Sequence, residues 1–363
     1  MNIFIALWVI AGSSLITSYS QLPGNSNQEK YPKNIILLIG DGMGLAQVQA
    51  AMGASDEPLN IERCEQVGLI KTSSSSDYIT DSAAGATAFA CGVKTFNGAI
   101  GVDADSSNVK SILEFAEAAG LATGLVASST ITHATPASFI AHNVSRGNHE
   151  AIALDFLETD IDVFMGGGLK YFNDRKDQAD LLEQLRNKNY QIVLNADDLS
   201  SVKEGKIAGL LHEKNFKSLI KGRDDVLIKS SDKAIEILSK DEDGFFLMIE
   251  GSQIDWGGHD KDIKYVVTEL LEFDIIVGKA LDFAEKDGNT LVIITADHET
   301  GGLTVFGNDV MNSNDATKFS SSGHSAIMVP VYASGPQADK FTGIYENNAL
   351  FNKMMTALNL RQD

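Results

Sequence analysis

Three stretches of this chain are apolar almost without interruption, yet too short for typical helices: Lys33-Asn-Ile-Ile-Leu-Leu-Ile-Gly40, Gly244-Phe-Phe-Leu-Met-Ile-Glu250 and Asn289-Thr-Leu-Val-Ile-Ile-Thr295. An alternating pattern would mark a strand with one wet face. A continuous run needs cover on both faces, which is the situation of a central strand in a parallel sheet. A helical stretch near Ala46–Met52 follows the first run. Further strand candidates at Val67–Thr72, Ala122–Ala127, Val163–Met165, Gln191–Leu194, Ile207–Leu211 and Ala326–Tyr332 are interleaved with helix candidates near Ser82–Cys91, Val109–Ala119, His149–Glu158, Gln178–Arg186, Ser231–Lys240, Ile263–Glu285 and Asn348–Leu358. This alternation predicts an α/β fold, with a mostly parallel central β-sheet flanked by helices on both faces in three layers. With no internal repeat, low-complexity tract or clear linker, residues 21–363 read as a single α/β domain.

The N-terminus stands apart. Residues Asn2–Ser20 form an apolar stretch without a charged side chain, and Ser18-Tyr19-Ser20 has the small-x-small form of a cleavage site. The stretch is short for a membrane span, so residues 1–20 are expected to be an export signal cut near Ser20, giving a periplasmic or secreted protein. Nothing else in the chain suggests a transmembrane domain. A formal charge of −20 argues against nucleic acid as a partner. An acidic protein still takes an anionic substrate if bound cations and a local arginine reverse the field in its site. Cys64 and Cys91 are too few for a disulfide framework, and no pairing is assigned.

The chemistry gathers where strands end. Asp41, Glu250 and Asp297 each stand just after or at the end of a strand candidate, and the carboxyl ends of strands form the functional edge of an open α/β sheet. Asp255-Trp-Gly-Gly-His259 places a carboxylate and an imidazole four residues apart, Asp297 is followed by His298, and His324 lies in Ser-Ser-Gly-His-Ser. Mixed Asp and His donors without cysteine suit catalytic zinc. His142, His149 and His212 lack such neighbours and read as packing or surface residues.

The run Ser82-Ala-Ala-Gly-Ala-Thr-Ala-Phe-Ala-Cys91 is helical in composition, with Asp81 or Ser82 as N-cap and Gly92 just past its end. Unpaired N–H groups at such a helix start favour an anion. By itself Ser82 reads as a cap. Beside divalent metals it reads as a nucleophile, because coordination activates a hydroxyl that no Ser-His-Asp arrangement serves here. Arg146, in His-Asn-Val-Ser-Arg-Gly, is the planar cation placed to grip two phosphoryl oxygens.

Together these residues resemble the alkaline phosphatases. The matching motifs are Gly40-Asp-Gly-Met-Gly44, Thr80-Asp-Ser-Ala-Ala84, Thr132-His-Ala-Thr-Pro136, Glu250-Gly-Ser-Gln-Ile-Asp255 with His259, Thr295-Ala-Asp-His-Glu-Thr-Gly-Gly302 and Gly323-His324, in that family's order. The resemblance implies a phosphomonoesterase with two zinc ions and one magnesium per chain, working at alkaline pH through a phosphoserine on Ser82. It implies that Asp255, His259 and His324 hold the first zinc, and that Asp41, Asp297 and His298 hold the second. Asp41 would bridge to magnesium, which Thr135 and Glu250 complete, and Arg146 would clamp phosphate. His133 stands where relatives carry Asp or His, and Trp256 stands where others carry Lys or His; both are expected beside the third metal or the substrate. Homodimerisation is expected from the same resemblance, although only 25 residues separate His298 from His324, so the insertion that often forms a crown at the dimer interface is reduced. A phosphodiesterase, a sulfatase or a cofactor-independent mutase would share such ligands, but Asp-Ser-Ala-Ala with Arg146 and Glu250 favours monoesters. An exported metal- or phosphate-binding protein without catalysis would not explain a serine among the ligands.

Overall fold

The computed structural model describes residues 30–313 and 315–361, so the expected export signal at 1–20 lies outside the described residues. The described chain is built on a ten-stranded sheet. Its strands are β1 (Asn34–Gly40), β2 (Gln66–Lys71), β3 (Ala122–Thr130), β4 (Val163–Gly167), β5 (Gln191–Val193), β6 (Ile207–His212), β7 (Phe245–Gly251), β8 (Thr290–Thr295), β13 (Val329–Ser334) and β14 (Gly343–Glu346). The spatial order is β14-β2-β13-β8-β1-β7-β3-β4-β6-β5. β13 runs antiparallel to both of its neighbours, and the other pairings are parallel. The three apolar runs become β8, β1 and β7, side by side at the centre, with every residue buried.

Cover on both faces follows. Helices α2 (Ser82–Cys91), α3 (Ile112–Ala118) and α11 (Ala349–Ala357) pack on one another, and α1 (Leu45–Ala54), α8 (Val226–Leu238) and α10 (Ile263–Asp287) form a second group around α10. Among the described residues no helix is long and apolar enough to cross a membrane.

Four expectations are corrected in detail. The helix expected from 109 begins at Ile112, because Ser111 accepts from the Glu114 N–H while the Glu114 carboxylate accepts from the Ser111 N–H. The helix expected from 178 begins at Leu181, capped by Asp180, and forms α7 (Leu181–Asn187). Helix α8 begins at Val226 rather than at 231, with Val226, Leu227, Ala234 and Leu238 on its buried face. The last long strand starts at Val329, not at 326.

Helix α9 (Gln253–Asp260), directly after β7, is absent from the expected elements, as are strand β14 and the single turns α4 (Ala134–Ala137) and α6 (Lys170–Asn173), which flank the expected helix α5 (His149–Glu158). The segment from 296 to 325, left unassigned by the sequence, forms two small antiparallel pairs. These are β10 (Leu303–Val305) with β11 (Thr317–Phe319), and β9 (Glu299–Thr300) with β12 (His324–Ser325).

Candidate active site

The site lies along the carboxyl ends of β8, β1, β7 and β3. Ile39 pairs with Thr295 on one side and Glu250 on the other, so the residues that follow emerge together. Past Gly40 the chain turns at Gly42, whose φ of +74° favours glycine. This turn leaves Asp41 fully buried beside Asp297, whose Oδ1 accepts from Gly42 N at 3.2 Å. From β7 the chain enters α9, which sets Asp255 and His259 one turn apart on the same face, with His259 Nε2 3.3 Å from Asp255 Oδ2. Past β3 come His133 and then the single turn α4 (Ala134–Ala137), which carries Thr135. β12 brings in His324 by pairing it with Thr300.

Three clusters of donors result, each with its ligand atoms within 4.8 Å of one another: Asp255, His259 and His324; Asp41, Asp297 and His298; and Asp41, His133 and Glu250. Asp41 belongs to two of them. Every metal-ligating residue expected from the sequence except Thr135 falls in a cluster, and Thr135 is buried at the start of α4. His133 enters the third cluster directly.

The donors fit cations. Asp41 Oδ1 and Oδ2, Asp297 Oδ2, Glu250 Oε1, Thr135 Oγ1 and His133 Nδ1 are buried and have no hydrogen-bond partner among the described residues. Such atoms are costly unless something charged meets them. His259 Nδ1 lies 2.6 Å from the Ser322 carbonyl and His324 Nδ1 lies 2.9 Å from the Thr80 carbonyl. Carbonyls only accept, so each Nδ1 carries the proton, and in the neutral rings both Nε2 lone pairs face each other at 3.3 Å. That arrangement needs a positive centre between them.

The electrostatics agree. Burial, then the charges of Asp297, Asp255 and Glu250, push the Asp41 carboxyl well above its usual range. Burial raises Glu250 to about 7 against a hydrogen bond from Ser252, and burial with the nearby Asp255 raises Asp297 to about 6. The hydrogen bond to Asp255 raises His259 to about 9, so without a cation a proton takes its place. Burial lowers His298 and His133 to about 3 and keeps both rings neutral.

Ser82 is the first residue of α2. Asp81, rather than Ser82, caps the helix: its Oδ1 accepts from Ala84 N at 3.0 Å, an interaction worth about 1 kcal/mol. The serine hydroxyl is thus released from capping and sits 3.3 Å from His298 Nε2. The other Asp81 oxygen accepts from Gly98 N and from Arg146 Nη1, both at 3.0 Å, which holds the half-buried guanidinium near the helix start. Trp256, half-buried on α9, meets His133 edge-on with ring centroids 6.0 Å apart. Sequence reasoning did not single out Glu299 or Thr300. Glu299 accepts from Gln47, Gly302 N, Leu303 N and Ser325, and so fastens the loop that carries His298 to the strand that carries His324.

His142, His149 and His212 stay outside the clusters. His142 bonds the Gly101 carbonyl at 2.7 Å, and His149 stacks on Tyr171 with centroids 4.5 Å apart. Cys64 and Cys91 are free and buried, and burial raises both thiols.

A parallel α/β sheet with a serine at a helix start, set among carboxylates and imidazoles that await cations, defines a metal-dependent hydrolase class. The profile of the alkaline phosphatase family matches residues 32–320 and 307–360. Alkaline phosphatase 3 of Bacillus subtilis is 41% identical over 325 residues, covering 85% of this chain and 70% of that protein. The alkaline phosphatase of Escherichia coli is 34% identical, with 93% and 88% covered. The structure of the alkaline phosphatase from the Antarctic bacterium TAB5 superposes with a TM-score of 0.88 at 48% identity, covering 92% of this chain and 100% of that one; a histidine-to-glutamate variant of that enzyme is described with Mg bound in its M3 site. This chain belongs to the alkaline phosphatase family, and it is a phosphomonoesterase.

Proposed function

We propose that the enzyme hydrolyses phosphate monoesters at alkaline pH by two successive displacements at phosphorus, with Ser82 as the nucleophile of the first. Asp255, His259 and His324 would hold one zinc, and Asp41, Asp297 and His298 a second beside Ser82. Asp41, Glu250 and Thr135 would hold magnesium, the ion that a variant of the Antarctic enzyme carries in its M3 site. His133 offers a nitrogen to that third site, which brings zinc within its range as well. When bound, these cations supply Lewis acidity, lowering the pKa of a hydroxyl and neutralising charge at the reacting oxygens.

The chain's own groups account for the rest. Capping by Asp81 leaves the Ser82 hydroxyl free to reach phosphorus, and the neutral His298 ring beside it has a lone pair to offer a cation rather than a competing charge. Arg146, held by Asp81, grips two phosphoryl oxygens, and the N–H groups at the start of α2 face the same anion. The Ser82 Oγ–P bond forms as the ester P–O bond breaks and the alcohol leaves. Water then attacks phosphorus, the Oγ–P bond breaks, and phosphate departs, so two inversions give net retention. The Trp256 indole, at a position where the family resemblance expects Lys or His, would leave the product phosphate less tightly held.

One observation carries this reading: Asp41 is buried with both oxygens unpaired, is shared by two clusters, and lies 3.5 Å from the same His298 Nε2 that meets Ser82 Oγ. The apolar stretch at Asn2–Ser20 supports export to the periplasm or medium, and family resemblance supports a homodimer, which the mass in solution would check. The main test is p-nitrophenyl phosphate turnover at pH 9 to 10 after metal stripping and after refilling with Zn²⁺ and Mg²⁺. The reading expects loss of turnover and then recovery only with the cations. Full turnover in the stripped protein would refute it.

A further inference from the structure

Thr300 lies at the junction of the two clusters that flank Ser82, and its hydroxyl touches both. It is fully buried on β9, with Oγ1 hydrogen-bonded to Asp255 Oδ1 and 3.2 Å from His298 Nδ1. Its backbone is paired in register with His324, the imidazole that shares a cluster with Asp255. One residue therefore meets a ligand candidate from each cluster through its side chain, and a third through its strand.

The donor count leaves one arrangement. A threonine hydroxyl has a single proton. The hydroxyl is directed at Asp255 Oδ1, an oxygen of a carboxylate in the first donor cluster. A carboxylate only accepts, so the hydroxyl donates to Asp255 Oδ1. Oγ1 must then accept from His298, which puts the ring proton on Nδ1. The His298 Nε2 lone pair is left facing Ser82 Oγ at 3.3 Å, Asp297 Oδ2 at 3.3 Å and Asp41 Oδ1 at 3.5 Å.

The surroundings leave this hydroxyl little room to turn away. A Cβ on Gly42 would fall 2.8 Å from Thr300 Oγ1, and a Cβ on Gly258 would fall 2.9 Å from Thr300 Cβ and Cγ2. Backbone thus presses on the threonine from the β1 turn and from α9, and a β-branched side chain is stiff at χ1.

We propose that Thr300 is a positioning residue that couples the two cation sites, fixing the tautomer of His298 and the orientation of Asp255 through a single hydroxyl. This rests on the reading that the clusters hold cations. Partners in the shell behind metal ligands typically matter by 10- to 100-fold in metal affinity, and here one partner serves two sites.

The test is chelator competition on the metal-loaded enzyme, wild type beside Thr300→Val and Thr300→Ser, with released metal counted, together with ¹⁵N NMR of histidine-labelled enzyme. Valine keeps the shape and removes the hydroxyl; serine keeps the hydroxyl. Thr300→Val is expected to weaken both flanking sites by about 10- to 100-fold and to lose the exchange-protected His298 Nδ1–H signal. Thr300→Ser is expected to stay within about threefold of wild type and to keep the signal. Unchanged affinities in Thr300→Val, or a loss confined to one site, would overturn the inference. If the valine variant does not fold, the wild-type signal decides: an Nδ1 without a protected proton overturns it. A wild-type enzyme that binds no cation in these clusters would instead refute the metal reading itself.

Discussion

Two places in this molecule bury charge, and they do so in opposite ways. Between the loop after β6 and helix α10, Arg223 reaches Glu269 Oε2 at 2.6 Å and also Glu272, with all three side chains at most 5% exposed. At the carboxyl edge of β8, β1 and β7, four carboxylates (Asp41, Glu250, Asp255 and Asp297) are equally buried. The arginine nearest in chemistry, Arg146, is engaged with Asp81. Unpaired atoms occur in both regions, since Arg223 Nε and Glu272 Oε1 also lack partners among the described residues. Orphaned atoms alone therefore do not mark a cation site. The balance of charge does: the first region sets one guanidinium against two carboxylates, of which burial raises Glu272 to about 7, whereas the second gathers four carboxylates with no Lys or Arg paired to any of them among the described residues.

Neutralising one charge in each region should have opposite consequences. Asp41→Asn is expected to lower turnover by at least about 10³-fold, because electrostatic stabilisation at the reacting centre is usually the largest single contribution. The same change should raise the melting temperature of the metal-stripped protein by relieving carboxylate repulsion. Arg223→Met should do the reverse. It leaves kcat within about threefold of wild type but destabilises the fold by about 3–5 kcal/mol, the usual cost of breaking a buried pair from one side. Calorimetry and steady-state kinetics on both variants check the four signs; a catalytic loss in Arg223→Met with an intact Asp41→Asn would invert the account.

A smaller effect is expected for Arg146→Ala. Losing a bidentate grip on phosphate should reduce kcat/KM by about 10²-fold while the metal content stays unchanged, as elemental analysis would verify.

The stability of the stripped protein should also depend on pH in a defined window. His259, raised to about 9, and Glu250, raised to about 7, keep protons in the fold that the unfolded chain has released. Glu250 gives up its proton as pH rises through about 7 and His259 as it rises through about 9, so between pH 7.5 and 9.5 it is chiefly the His259 proton that leaves the folded protein, and with it the stability it contributed. His133 and His298, lowered to about 3, are neutral in both states over this window and add no slope. The gap in melting temperature between loaded and stripped enzyme should therefore widen as pH rises from 7.5 to 9.5, and a constant gap would count against the account.

The smallest expected effect is at Trp256. Trp256→Lys should lower the phosphate inhibition constant a few-fold, since a cation would replace an indole near His133. An unchanged or higher constant would show that the tryptophan does not set product affinity.

The regions also differ in how far sequence revealed them. β8, β1 and β7 were legible because their apolar runs are unbroken, and the acids that end them follow from strand polarity. Helix α9 was not legible, because Gly257-Gly258 reads as a breaker. The structure gives the reason for the glycines: a Cβ at 257 would lie 2.7 Å from Val266 N, and one at 258 would meet Thr300. Close tertiary approach overrides local propensity there. The two-residue strands β9 and β12 carry no periodic signal, so the parts played by Glu299 and Thr300 in locating His298 and His324 emerge only from packing. The antiparallel direction of β13 was equally hidden, since direction is a property of its neighbours rather than of its residues.

If the carboxylate edge works through Ser82, acid-quenching the metal-loaded enzyme with ³²P-labelled substrate and mapping the label will find the residue that carries phosphate. Phosphate is expected on the peptide that carries Ser82 and none in Ser82→Ala or in stripped protein. Label on another residue, or turnover undiminished in Ser82→Ala, would contradict it.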